Sequence, residues 1–234
     1  MKIAIIPARG GSKRIPRKNI REFCGKPMLA WSVAAAIESN CFDEIVVSTD
    51  DEEIADTARA WGARTPFMRP ANLSDDHTGT IPVVRHAIQW YMSKGITPEA
   101  VCCLYATAPF VQSVDLRRGL ELLSSAPVDV DYAFSVTSYA FPVQRALRLI
   151  EKERVEMLYP EHFWTRSQDL DEAFHDAGQF YWGRTHAWME GKVIFGRGSV
   201  PVVLPRHRVQ DIDTLEDWVR AEWLFRAMSS QVDT

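Results

Sequence analysis

KIAIIPARGGSKRIPRKN, residues 2–19, joins an unbroken apolar run to a glycine-bearing cationic loop. The run Lys2 to Ala8 has β-branched residues and no polar alternation, the pattern of a central strand covered on both faces. The loop that follows leads into Pro27 to Ser39, where Met28, Leu29, Val33, Ala36 and Ile37 fall at helical spacing and Pro27 suits the first turn. Strand, loop and helix in that order open an α/β fold.

The unit repeats outward from there. Glu44 to Thr49 reads as a strand, and Asp51 to Trp61 as a helix that has acids in its first turn and stops at Gly62. A helix over Gly79 to Ser93, a strand over Ala100 to Tyr105 and a helix over Ser113 to Ser124 continue the alternation. The expected architecture is a three-layer α/β sandwich, Rossmann-like, with a mainly parallel mixed sheet in a single domain spanning 1–234. After Ser138 the pattern breaks. Residues 139–171 are charged and aromatic without a clean period and read as an insertion. Strands near Gly178 to Trp182 and Val200 to Leu204, and a helix over Thr214 to Ala227 with an apolar stripe, restore the alternation.

The 234 residues are 46% hydrophobic, enough for one substantial core, and carry a formal net charge of −4. No global positive field exists to recruit nucleic acid or an anionic membrane, so any anion site must be local. Cys24, Cys41, Cys102 and Cys103 form no CxxC motif and read as reduced thiols. The adjacent pair 102 and 103 would point to opposite faces of a strand and pack in the core rather than share a metal. The apolar run before Pro7 is too short for a signal peptide or a membrane span, and the expectation is a cytoplasmic protein.

Between Arg9 and Arg21 lie six cations, Arg9, Lys13, Arg14, Arg17, Lys18 and Arg21, and no carboxylate. Gly10 and Gly11 allow close backbone approach to a ligand, and Ser12 adds a hydroxyl donor. Charge of this density after a buried strand suits a polyphosphate, whose oxygens need more compensation than backbone donors supply. The loop matches neither GxxxxGK[ST] nor GxGxxG, which disfavours a P-loop ATPase or a dinucleotide site.

IPARGGSKRIPRKN resembles the N-terminal signature of the cytidylyltransferases that activate nonulosonic acids, the sialic-acid-like nine-carbon sugars. The resemblance extends through GKPMLAWSVAAA (25–36), FDEIVVSTDDEEIA (42–55), RPANLSDDHT (69–78), YATAPF (105–110) and QDIDTLED (210–217). It implies attack by the anomeric 2-hydroxyl of a keto sugar acid on the α-phosphorus of CTP, giving a CMP-sugar and pyrophosphate. By the same comparison Arg9, Ser12, Lys13 and Lys18 would contact the triphosphate, with Arg9 and Lys18 also counted as catalytic. Asn19, Arg69 and Thr80 would line the nucleotide pocket together with Gly10 and Gly11.

Asp211 and Asp213, flanking Ile212 in an extended segment, would present two carboxylates on one side. Alone, that spacing admits two readings: part of a magnesium site completed by phosphate oxygens, or Asp213 as N-cap of the following helix. The resemblance favours Mg²⁺ on both, in a catalytic role. Asp51 reads as a helix cap, and Asp75 and Asp76 lie within the signature loop. No general base stands out.

Sialate-activating relatives carry QPTSP and FRPNGAIY where this chain has Ala106-Thr107-Ala108-Pro109 and Phe174-His175-Asp176-Ala177-Gly178-Gln179-Phe180-Tyr181. ATAPF with HDAGQFYWG resembles the pseudaminic acid branch, which makes Ala106, Thr107 and Gln179 candidates for the sugar site. A CMP-sialate or CMP-octulosonate synthetase, and a nucleotide-binding module without chemistry, stay open as alternatives. The insertion corresponds to the segment through which relatives form homodimers, with Phe163 and Trp164 as interface residues and Arg145 and Arg166 as candidates for the sugar carboxylate.

Overall fold

The computed structural model describes residues 1–151 and 153–230. The strand β1 (Lys2–Pro7) holds Ile3, Ala4, Ile5 and Ile6 fully out of solvent, as its lack of polar alternation requires. A two-stranded ribbon, β2 (Glu22–Phe23) and β3 (Lys26–Pro27), then leads into α1 (Met28–Ser39). Pro27 is the N-cap of α1 rather than a residue of its first turn.

Next come β4 (Glu44–Ser48), α2 (Glu52–Ala60), α3 (Thr80–Ser93), β5 (Ala100–Leu104) and α4 (Ser113–Ser125). A strand that sequence reading passes over, β6 (Tyr132–Ser138), follows. The insertion is more ordered than its composition suggests: β7 (Leu147–Ile150) and β8 (Arg154–Met157) pair as a separate antiparallel hairpin between short 3₁₀ turns. The chain closes with β9 (Phe174–Arg184), α5 (Thr185–Glu190), β10 (Ser199–Val203) and α6 (Leu215–Ser229).

The six-stranded sheet has the order β10-β6-β9-β5-β1-β4. Strands β4, β1 and β5 are parallel, as are β10 and β6, and β9 runs antiparallel between β5 and β6. One face packs on α1, α2 and α4 through Ile6, Leu29, Val33, Ile54, Leu116 and Trp182. The other packs on α3 and α5 through Ile3, Ile5, Val84, Ile88, Tyr181 and Trp188. Cys102 and Cys103 divide between the two faces, both fully buried, and burial raises both thiol pKa values. A third apolar cluster places α6 against the cationic loop: Trp218 and Ala221 pack with Ile15, Phe23, Met28, Phe110 and Ile212. Thus Ile15 and Ile212 anchor the loop and the Asp211–Asp213 segment in the same small core.

Helix α4 can lie on β9 only because position 119 lacks a side chain. A Cβ there would stand 2.7 Å from Trp182 Cδ1 and 2.9 Å from Phe180 Cε2. Gly119→Ala is expected to lower stability by about 1–3 kcal/mol, the usual cost of overpacking. Urea unfolding followed by tryptophan fluorescence measures it, and an unchanged midpoint would show that α4 is not held at this distance.

Candidate active site

Parallel strands end together, and the loops beyond their carboxyl ends form the cleft of this fold. The cleft measures about 510 Å³ and is walled by the loop after β1, the 69–80 segment, the residues following β5 and the approach to α6. Arg9, Ser12, Lys13, Lys18, Asn19, Arg69, Thr80, Ala106, Thr107 and Asp213 all line it. Gly10, Gly11, Asp211, Gln179, Arg145 and Arg166 are not among its lining residues.

Each loop cation has a partner drawn from elsewhere in the chain. Asp76 joins Arg9 (2.6 Å) and Lys13 in one ion-pair cluster, and Asp213 receives Arg14 at 3.0 Å and Lys18 at 3.5 Å. Arg17, left-handed at φ 57°, is fastened to Asp51 and Glu53. Asp51 also caps α2 by accepting from the Ile54 N–H, so its role is structural. Arg21 lies over the Trp218 ring at 4.9 Å. Lys13 and Arg9 hold the Asp76 carboxyl down at about 2, so this pairing is complete at neutral pH and is lost only as pH falls through that value.

Two loop residues differ from their sequence reading. The N–H of Gly10 donates to Asp50 Oδ1 at 2.9 Å, and a Cβ at Gly10 would meet Asp51 Oδ2 at 2.7 Å. Glycine is required there by the aspartates beside it. The Ser12 hydroxyl donates to the Ile15 carbonyl at 2.6 Å, so in this conformation its proton closes the turn. Asn19, nearly buried, likewise donates to the Arg9 carbonyl at 2.9 Å and fixes the start of the loop.

Arg69 is the most buried cation of the cleft, with a side chain 3% exposed. Its Nε donates to Ser74 at 3.1 Å, Asp50 stands 3.8 Å from Nη2, and Nη2 has no hydrogen-bond partner. Burial lowers its pKa, with Asp50 opposing. A buried guanidinium nitrogen without a hydrogen-bond partner is costly, and only the Asp50 carboxylate nearby offsets its charge.

Between β10 and α6, Ile212 is buried and the aspartates on either side turn away from the core. Thr214, not Asp213, caps α6 in a capping box with Asp217, which removes the capping reading of Asp213. Lys18 donates to the Ile212 carbonyl at 2.6 Å and ties loop and segment together. Burial, and then the neighbouring Asp213 carboxylate, push the Asp211 pKa up. A carboxylate whose charging is opposed by burial and by a second carboxylate beside it suits a hard cation. Among the described residues no three His, Cys, Asp or Glu side chains are grouped for a metal, so such an ion would need phosphate oxygens and water to complete its shell.

Gln179 is 3% exposed; its amide donates to the Arg208 carbonyl at 2.6 Å, and its Oε1 is unpaired. It holds β9 to the segment before Asp211. Arg145 donates to the Thr165 carbonyl and Arg166 pairs with Asp169, both within the insertion. Tyr105, with its hydroxyl 2.9 Å from Thr80 Oγ1, enters the cleft and was marked in the sequence only by its place in YATAPF.

A family model described as Cytidylyltransferase matches residues 3–187. The chain is 46% identical to a pseudaminic acid cytidylyltransferase of Campylobacter jejuni, over 96% of each protein. It is 31% identical to the CMP-N,N'-diacetyllegionaminic acid synthase of Legionella pneumophila, over 95% of each. Among solved structures, a CMP:2-keto-3-deoxy-manno-octonic acid synthetase complexed with CTP shares the fold at a TM-score of 0.70 and 16% identity, covering 97% of this chain and 99% of its own.

Asp76 occupies the cations that a polyphosphate would use. Asp76→Asn is therefore expected to tighten binding of inorganic tripolyphosphate several-fold at low salt, with the gain fading as ionic strength rises. Titration calorimetry measures this, and equal or weaker binding would show that Asp76 does not compete for Arg9 and Lys13.

Proposed function

The chain belongs to the cytidylyltransferase family, and we propose that it condenses CTP with pseudaminic acid to give CMP-pseudaminic acid and pyrophosphate. The observation that carries this reading is the cation-lined cleft at the carboxyl edge of the sheet, in a chain similar along 96% of its length to a pseudaminic acid cytidylyltransferase. In the reaction the sugar 2-hydroxyl oxygen forms a bond to the α-phosphorus and releases its proton to solvent, the bond from that phosphorus to the bridging oxygen breaks, and its electron pair leaves with pyrophosphate.

Arg9, Ser12, Lys13 and Lys18 hold the triphosphate, with the backbone of Gly10 and Gly11 beneath it, and Arg9 and Lys18 balance the charge that moves onto the leaving group. Asn19 and Thr80 shape the nucleotide pocket. Arg69, which lines the cleft, adds a further cation to the nucleotide pocket. Asp211 and Asp213 hold Mg²⁺, which when bound supplies charge neutralisation for the phosphates and lowers the pKa of a coordinated hydroxyl. Arg14 and Lys18 are paired to Asp213 in this structure and would be free for phosphate if Asp213 were to hold the cation. Ala106 and Thr107 line the part of the cleft nearest the sugar. We place the reaction in the cytoplasm; no described helix is long and apolar enough to cross a membrane.

The insertion presents Trp164 at 89% and Phe141 at 82% exposure, with Leu149, Phe163 and Val155 also exposed. Apolar side chains so displayed suit a subunit interface. We read it as the contact of a homodimer, in which Arg145 and Arg166 reach the sugar carboxylate from the partner. Trp164→Asp is expected to shift the protein from dimer to monomer in sedimentation velocity; an unchanged coefficient would remove the insertion from the interface.

The substrate is tested by pyrophosphate release from CTP with purified pseudaminic, N-acetylneuraminic and octulosonic acids. Turnover strongest with pseudaminic acid is expected, and preference for N-acetylneuraminic acid would give the chain to the sialate branch. Asp211→Ala and Asp213→Ala should each lower kcat by roughly a hundredfold or more, the scale of losing one charge-stabilising group. Chelation of divalent cations should abolish turnover reversibly. Full activity in both variants at saturating magnesium would reject the metal assignment.

A further inference from the structure

Asp176 and Tyr181 are five positions apart on β9, a separation that would place them on opposite faces of a regular strand. They share one face here. Tyr181 stands opposite Phe134 and Asp176 opposite Val136, so the β9 segment from 176 to 181 spans only two steps of β6. The surplus is taken up in a bulge at Ala177–Phe180, where Gly178 adopts φ +61°. Phe134 and Val136 share a face, and the bulge returns Asp176 to the side of Tyr181.

The side chains follow the backbone. Tyr181 donates its hydroxyl to Asp176 Oδ2, and the Gly178 N–H donates to Oδ1 at 2.9 Å. Burial above all raises the Tyr181 pKa, so the phenol stays a donor. Its ring lies 5.4 Å from that of Tyr105, whose hydroxyl is 2.9 Å from Thr80 in the cleft. A row of contacts thus runs from Tyr105 in the cleft through Tyr181 to Asp176, which does not itself line the cleft but is exposed past the carboxyl end of β5, the edge on which the cleft lies.

A carboxylate fixed on the same sheet edge as a site for two anionic substrates is unfavourable unless one of them brings a donor to it. Its two oxygens offer about four acceptor positions, of which the protein fills two. An amide N–H is a donor with no acceptor capacity and gains most from such a fixed partner. We propose that Asp176 determines sugar specificity by accepting the N–H of an acylamino substituent and by turning the sugar's own carboxylate away, toward the cations. This rests on the cytidylyltransferase reading above and names the group that the sugar site reads.

The test is steady-state kinetics of the full-length enzyme with pseudaminic acid, for the wild type, Asp176→Asn and Asp176→Ala. Asn can still accept the Gly178 N–H and keep the bulge, while losing the charge. Both variants are expected to raise the sugar KM by roughly tenfold to a hundredfold, the scale of a hydrogen bond to a charged group, with the CTP KM and the melting temperature of Asp176→Asn unchanged. Octulosonic acid, which has no acylamino group, should lose none of its residual turnover. Normal wild-type activity with an unchanged sugar KM in both variants would overturn the inference alone. Equal losses for CTP and sugar would make Asp176 a structural cap and overturn it as well. Absence of turnover by the wild type would overturn the functional reading and the inference with it.

Discussion

Six positive side chains in the thirteen residues from Arg9 to Arg21 repel one another, and the structure around them is arranged to contain that repulsion. Counter-charges come from three separate places: Asp76 in the turn before α3, Asp51 and Glu53 at the start of α2, and Asp213 ahead of α6. Each group fastens the loop to a different element of the fold. Ion pairs at the surface contribute little stability by themselves. Their effect here is positional, because they leave Arg9, Lys13, Lys18 and Arg69 facing one volume that an anionic ligand can fill.

The same arrangement divides the site into two halves with different determinants. The nucleotide half is built of charge and buried donors, with Lys18 on the Ile212 carbonyl and Arg69 partly unpaired, and it requires only that the phosphates and the ring present acceptors. Beyond Tyr105 lies β9 with its bulge, where strand register decides which side chains share the face of Tyr181. On the reading proposed above, substrate choice among related sugar acids would rest on a few polar groups of that irregular strand.

Much of this was legible in the sequence where the signal is local. The unbroken run Ile3 to Ile6 specified a central strand, the stripe from Met28 to Ile37 specified α1, and the crowding of cations marked a loop that lines the cleft. What stayed hidden depends on partners distant along the chain. Strand β6 carries Tyr132, Ala133 and Phe134 with no distinctive period, and it is a strand because β9 and β10 flank it. Gly10 reads as allowing close approach to a ligand, and the sequence does not show that a Cβ there would also meet Asp51, forty-one positions on. Gln179 read as a sugar contact, yet its amide is spent on the Arg208 carbonyl. The pairing of Asp176 with Tyr181 follows from a bulge whose only sequence mark is Gly178.

If the cleft holds a triphosphate, the loop cations and Asp76 must exchange partners when nucleotide binds. A crystal structure with CTP and magnesium would show the exchange. Triphosphate oxygens are expected on Arg9, Lys13 and Lys18, with Asp76 withdrawn from Arg9 and Lys13. A triphosphate bound elsewhere, with Asp76 still joined to both cations, would contradict it.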